Sequence, residues 1–159
     1  MPDRHRFWWR KLPHLEVTGS TYFITWSLRP NVPPLNPKER KLVLESCLFW
    51  HQRRWAVHAL VVMPTHVHVL ATPLQETHGE TAKLEELMHS MKSYTAHRIN
   101  EFRGRKGSLW LEEYRDEMIR DGAKMEEVYN YIWENPVKDG LAESAEEYPF
   151  FWVDEEFLK

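Results

Sequence analysis

Two apolar, β-branched runs, Trp55-Ala-Val-His-Ala-Leu-Val-Val62 and His66-Val-His-Val-Leu-Ala-Thr-Pro73, stand on either side of Met63-Pro64-Thr65. This arrangement limits the possible folds more than any other part of the chain. Proline has no N–H to give to a ladder, so the stretch predicts two strands joined by a tight turn. Successive side chains on a strand point to opposite faces, which places Val67, Val69 and Ala71 on one side and His66, His68 and Leu70 on the other. Two imidazoles two residues apart on one rigid strand can share a divalent metal. The same His-x-His spacing also suits two ordinary histidines on a wet sheet face.

Upstream, residues 20–28 alternate as a strand with Tyr22, Ile24, Trp26 and Leu28 on its core side. Pro30, Pro33 and Pro34 mark a loop. Asn36-Pro37-Lys38-Glu39 combines a capping residue, a proline at the first helical position and an acid three residues after the cap, predicting a helix from there to about residue 54. A second helix over about 81–102 carries Leu84, Leu87, Met88, Met91, Thr95, Ile99 and Phe102 at core spacing. The turn Gly104-Arg-Lys-Gly107 ends it, and a short strand is expected within 108–120. A third helix has Asp121 as cap and Pro136 as its stop just beyond Asn135. Its Met125, Val128, Tyr129, Ile132 and Trp133 form the buried stripe. Tyr131 lies about 120° from the centre of that stripe, with Asn135 beside it one turn later. On the residues alone this pair also suits a helix-end tyrosine and a C-cap. The order strand, helix, strand, strand, helix, strand is the α+β, ferredoxin-like split βαβ plan, with helices on one face of an antiparallel sheet and the histidines on a free opposite face.

With 42% hydrophobic residues and eight tryptophans, 159 residues suffice for one core. We expect a single domain over 1–159, with a basic N-terminal arm (1–19) and an acidic C-terminal tail (142–159). The lone Cys47 excludes a disulfide framework or a thiolate metal cluster and suits the cytoplasm. No stretch is apolar enough to span a bilayer or serve as a signal peptide, so no membrane partner is expected. The net charge of −3 conceals an uneven distribution. Arg4, Arg6, Arg10, Lys11 and His14 fall in the arm, and Lys92, Arg98, Arg103, Arg105 and Lys106 in the second helix and the turn after it. These ten are candidate DNA contacts, two basic patches able to hold a strand electrostatically. Ordinary solvated surface explains each patch taken alone equally well. No Walker-type glycine loop is present.

Met63-Pro-Thr-His66-Val-His68-Val-Leu, Trp110 with Glu113-Tyr114, Ile119-Arg-Asp121 and Tyr131-Ile-Trp-Glu-Asn135-Pro-Val-Lys-Asp-Gly-Leu141 together resemble the REP-associated tyrosine transposases, single-tyrosine members of the HUH nuclease superfamily. The resemblance runs from the Thr21-Tyr-Phe-Ile-Thr strand to Leu141. It implies a ferredoxin-like endonuclease that cuts and rejoins single-stranded DNA at repetitive palindromic hairpins. His66 and His68 would be the HUH histidines, Tyr131 the nucleophile, and Asn135 the third group of a site for Mg²⁺ or Mn²⁺. Thr65 stands where the pattern has Asn, and the acidic tail is a second departure. Both monomer and homodimer stay open. Tyr94 and Tyr114 are the other tyrosines weighed as nucleophile. Two further classes fit parts of the chain. A metal-dependent hydrolase could use the same histidines, although Leu70 stands where the metallo-β-lactamase-like pattern has Asp. A non-catalytic single-stranded nucleic-acid-binding module could use the sheet and the basic patches.

Overall fold

The computed structural model describes residues 19–75 and 79–158. The chain runs β1 (Thr21–Ser27), α1 (Pro37–Phe49), β2 (Trp55–Val62), β3 (His66–Pro73), α2 (Leu84–Arg103), β4 (Arg115–Ile119), α3 (Gly122–Lys138) and β5 (Phe151–Val153). The sheet order is β4-β1-β3-β2-β5, and every neighbouring pair is antiparallel. The first four strands thus take the split βαβ arrangement. The fifth comes from the acidic tail, which adds a strand at the β2 edge.

The β2–β3 hairpin forms as its pattern predicts, with Met63 N–H donating to the His66 carbonyl across the turn. Val67, Val69 and Ala71 pack with Ile24, Trp26 and Leu28 beneath α1 and α2. Leu70 faces the other way, into a second cluster with Ala59, Val61 and Met63. A bulge at His58 shifts the alternation of β2, so Trp55 and Val57 before it share a face with Leu60 and Val62 after it. That phase change keeps both faces of a fully buried strand apolar.

Helix α1 begins on the expected capping box. Asn36 Oδ1 accepts from Glu39 N–H, and Glu39 Oε1 accepts from Asn36 N–H, both at 2.9 Å. The helix ends at Phe49, short of residue 54. Trp50 turns its carbonyl to the N–H groups of Arg53 and Arg54, and Gln52 adopts φ 65°, reversing the chain into β2. Glu39 is 1% exposed, and its carboxylate receives both Nε and Nη2 of Arg103 at 2.7 Å, tying the start of α1 to the end of α2.

In α2, Leu87, Met88, Met91, Thr95 and Ile99 are buried and Leu84 is partly buried. Phe102 departs from the expected core stripe. It sits in the last turn, beyond the reach of the sheet, and is covered instead by the cations Lys38 and Arg98. The mid-helix Thr95 hydroxyl donates to the Met91 carbonyl and accepts from the Trp110 indole N–H at 3.0 Å. This bond anchors the loop that leads to β4.

Helix α3 starts where expected, with Asp121 Oδ1 accepting from Lys124 N–H at 2.8 Å. It does not stop before Pro136. The helix continues to Lys138, because proline forfeits only the bond to Ile132 while Asp139 N–H still reaches the Asn135 carbonyl. Met125, Val128, Tyr129, Ile132 and Trp133 are all buried, as the stripe predicts. They cover the second sheet face, which is therefore not free. Ala59, Val61, Met63 and Leu70 lie beneath α3, joined by Tyr148 and Phe157 from the acidic tail. Among the described residues no helix is long and apolar enough to cross a membrane.

Candidate active site

β3 and α3 bring together the residues that the sequence placed far apart. His66 and His68 project from β3 on the α3 side with ring centroids 4.8 Å apart. The ring of Tyr131, on the flank of α3, stands 5.2 Å from that of His68. One turn further along α3, Asn135 lies close enough to His66 to favour its protonated form. Tyr131 is 42% exposed, whereas His68 is 5% and Asn135 6% exposed. A solvent-facing phenol thus adjoins two buried Lewis bases.

Hydrogen bonding around the histidines is lopsided. Nδ1 of His68 lies 2.8 Å from the Thr25 hydroxyl, and Nδ1 of His66 lies 3.0 Å from the Thr65 hydroxyl. Nε2 of His68 and Oδ1 of Asn135 are buried and have no hydrogen-bond partner. Leaving such atoms unmatched costs on the order of 1–3 kcal/mol each. Burial holds both imidazoles below the ordinary histidine range. Asp139 and Asn135 partly offset this at His66, while at His68 the neighbouring His66 adds to it and the value falls to about 3. Both rings are neutral near pH 7, the form that ligates metals. Two imidazoles and an amide oxygen, with two buried polar atoms otherwise unmatched, suit a divalent cation. Among the described residues no cluster of three or more His, Cys, Asp or Glu offers a rival site.

Beside Tyr131 opens a cavity of about 470 Å³ whose walls include Phe23, Thr25, His68, Arg115, Lys124 and Tyr131. The Phe23 ring makes an edge contact with Tyr131 at 5.9 Å and tilts against His68 at 5.5 Å. Lys124 pairs with Glu127 at 2.9 Å and Glu117 at 3.5 Å, so the cavity wall carries both signs of charge.

A family model described as Transposase IS200 like matches residues 34–135. The chain belongs to that family. This transposase is also similar to the REP-associated tyrosine transposase of Escherichia coli (strain K12), at 24% identity over 135 residues, 84% of this chain and 76% of that one. Its fold matches a solved structure of a REP-associated tyrosine transposase bound to a REP hairpin, with a TM-score of 0.69 and 23% identity over 85% of this chain and 77% of that one.

The remaining candidates of the transposase fare differently. Arg4, Arg6, Arg10, Lys11 and His14 lie outside the described residues. The second basic stretch belongs to α2 and the loop after it, on the sheet face opposite the histidines. Arg103 is committed to Glu39 and to the carbonyls of Pro33 and Pro34. Lys92 donates to the carbonyls of Leu111 and Glu112 at 2.7 Å each, and Arg105 to the Asn100 side chain and two loop carbonyls. Lys92 and Arg105 thus hold the segment between α2 and β4, and Arg103 ties the end of α2 to the start of α1. Arg98 rests on Tyr94 and Phe102, and Lys106 is exposed. Tyr94 and Tyr114 also sit on the α1–α2 side, away from the histidines. Sequence reasoning missed Phe23, Thr25 and Asp139. The alternation of β1 already set Phe23 and Thr25 opposite Ile24 and Trp26, but only the pairing register Thr25↔His68 puts them at the site.

Proposed function

We propose that this transposase cleaves and rejoins single-stranded DNA at repetitive hairpins through a covalent Tyr131 intermediate, with Mg²⁺ or Mn²⁺ held by His66, His68 and Asn135. The observation that carries this is the pair of buried polar atoms without a hydrogen-bond partner, His68 Nε2 and Asn135 Oδ1, beside an exposed tyrosine. A bound divalent cation supplies positive charge to polarise the scissile phosphate and to stabilise the charge that develops on it. Tyr131 performs the substitution. Its oxygen forms a bond to phosphorus as the bond from phosphorus to the 3′ oxygen breaks, the phenol gives up its proton, and the departing 3′ oxygen takes one up. The products are a 5′-phosphotyrosine and a free 3′-hydroxyl, and the retained phosphoester lets a 3′-hydroxyl reverse the step without a nucleotide cofactor. Edge contacts with Phe23 and His68 hold the Tyr131 ring. The hairpin substrate is supported by the relative whose solved structure holds a REP hairpin.

The test is strand cleavage of end-labelled single-stranded DNA hairpins of the REP type held by the structural relative. Removing the metal with a chelator, or substituting His68→Ala, is expected to slow cleavage by about 10³-fold, the equivalent of several kcal/mol of charge stabilisation. Excess Mn²⁺ should restore the chelated wild type but not the variant. Full activity in chelator would remove the metal from the account.

A further inference from the structure

We propose that Thr25 is a positioning residue for the metal site, its hydroxyl holding His68 in the tautomer that keeps the proton on Nδ1 and leaves Nε2 free as a ligand. This inference rests on the function proposed above. Thr25 is the direct cross-strand neighbour of His68 in the β1–β3 ladder, and its Oγ1 lies 2.8 Å from Nδ1. A neutral imidazole carries one proton and therefore offers one donor and one acceptor. If that proton sat on Nε2, the buried ring would present an N–H with no acceptor in reach, because Nε2 has no partner. With the proton on Nδ1 donated to Thr25, the unmatched atom is a lone pair. The other buried unmatched atom at the site, Asn135 Oδ1, is also an acceptor. Both deficits are then of the kind a cation removes. Hydrogen bonds to the far nitrogen of a ligating histidine fix its orientation and basicity, and losing one typically costs 10–100-fold in metal affinity.

Thr65 gives a built-in comparison. Its hydroxyl stands in the same relation to Nδ1 of His66, at 3.0 Å, but that contact is solvent-exposed. Water replaces an exposed hydroxyl more readily than the half-buried one that Thr25 presents from the interior strand β1. The two threonines therefore differ in consequence although they make the same bond.

The experiment titrates Mn²⁺ alone into the purified protein by calorimetry and reads the His68 tautomer in metal-free protein at pH 7 from long-range ¹H–¹⁵N couplings. Thr25→Val keeps the shape and strand preference of the residue, and Thr25→Ser keeps the hydroxyl. Thr25→Val is expected to bind Mn²⁺ about 10–100-fold more weakly and to lose the single Nδ1–H tautomer, with an unchanged fold by circular dichroism. Thr25→Ser should restore both readouts, and Thr65→Val should weaken Mn²⁺ binding by less than about threefold. Wild-type affinity in Thr25→Val, or an Nε2–H tautomer in the wild type, would overturn the role of Thr25 and leave the metal site standing. A wild type with the Nδ1–H tautomer that takes up no Mn²⁺ would overturn the metal site and leave the coupling between Thr25 and His68 in place. Should Thr25→Val fold poorly, Thr25→Ser and the wild-type tautomer still decide the matter.

Discussion

Tyr131→Phe is expected to lower strand cleavage by about 10⁴-fold or more, the scale of deleting a nucleophile, while hairpin affinity changes by less than about tenfold. The separation follows from where the hydroxyl sits. The ring holds the contacts to Phe23 and His68, and phenylalanine preserves them. What disappears is the phenol oxygen proposed to bond to phosphorus. Cleavage rates on a labelled hairpin, measured beside equilibrium binding of the same strand, separate the two effects. A variant that cleaves like the wild type would remove Tyr131 from its role. Tyr94 and Tyr114 are poor substitutes, because both lie on the α1–α2 side of the sheet. A variant that neither cleaves nor binds would give the tyrosine a part in holding the strand instead.

The largest effect on stability is expected at the Glu39–Arg103 pair. Arg103→Met leaves the carboxylate of Glu39 buried without its cation and should cost about 3 kcal/mol, lowering Tm by about 6–12 °C for a chain of this size. Adding Glu39→Leu to that variant should recover much of the loss, because the penalty lies in the orphaned charge. The pair also fixes a pH dependence. Burial alone would raise the Glu39 pKa, but hydrogen bonds from Arg103 and from the Asn36 N–H, with the charge of Arg103, outweigh it and hold the carboxyl below its ordinary value of 4.5. A carboxyl depressed in the folded state stabilises fully above its unfolded value, and that contribution is lost as pH falls through the folded one. The stability gap between wild type and Glu39→Gln should therefore be constant above about pH 5 and close as the pH falls below 4.5. Denaturant melts of both proteins across this range are the measurement. A gap that does not vary with pH, or an Arg103→Met variant as stable as the wild type, would contradict the assignment.

Local pattern carried much of this fold into view. The hairpin follows from Pro64 between two apolar runs, and the caps of α1 and α3 from Asn36, Glu39 and Asp121. The 3.6-residue rhythm separates Tyr129, which is buried, from Tyr131, which is exposed. What stayed hidden depends on contacts between distant segments. The acidic tail carries no periodic signal for β5, because three residues are too few to show one, and Tyr148 and Phe157 look like isolated aromatics until α3 and β2 enclose them. Pro136 misleads because the cost of a proline in a last helical turn is one hydrogen bond, small beside the burial of Trp133 and Asn135 around it. Arg103 and Lys92 read as free cations for the same reason. Nothing near them in sequence reveals that Glu39 or the carbonyls of Leu111 and Glu112 will claim them. At the site, spacing put His66 and His68 on one face of β3 and Tyr131 beside Asn135 on the flank of α3. Only the resemblance to the tyrosine transposases joined the two pairs, and Thr25 required the register of β1 against β3.

One measurement bears most directly on the covalent tyrosine. The wild-type protein is incubated with a single-stranded REP-type DNA hairpin, with Mn²⁺ or with chelator, and separated on a denaturing gel. Any protein–DNA adduct is then digested and mapped by mass spectrometry. The expected result is an adduct that forms only with the metal and carries the 5′ phosphate of the downstream fragment on Tyr131, the upstream fragment ending in a free 3′-hydroxyl. Cleavage with no adduct, an adduct on another residue, or an adduct that forms equally well in chelator would contradict the account.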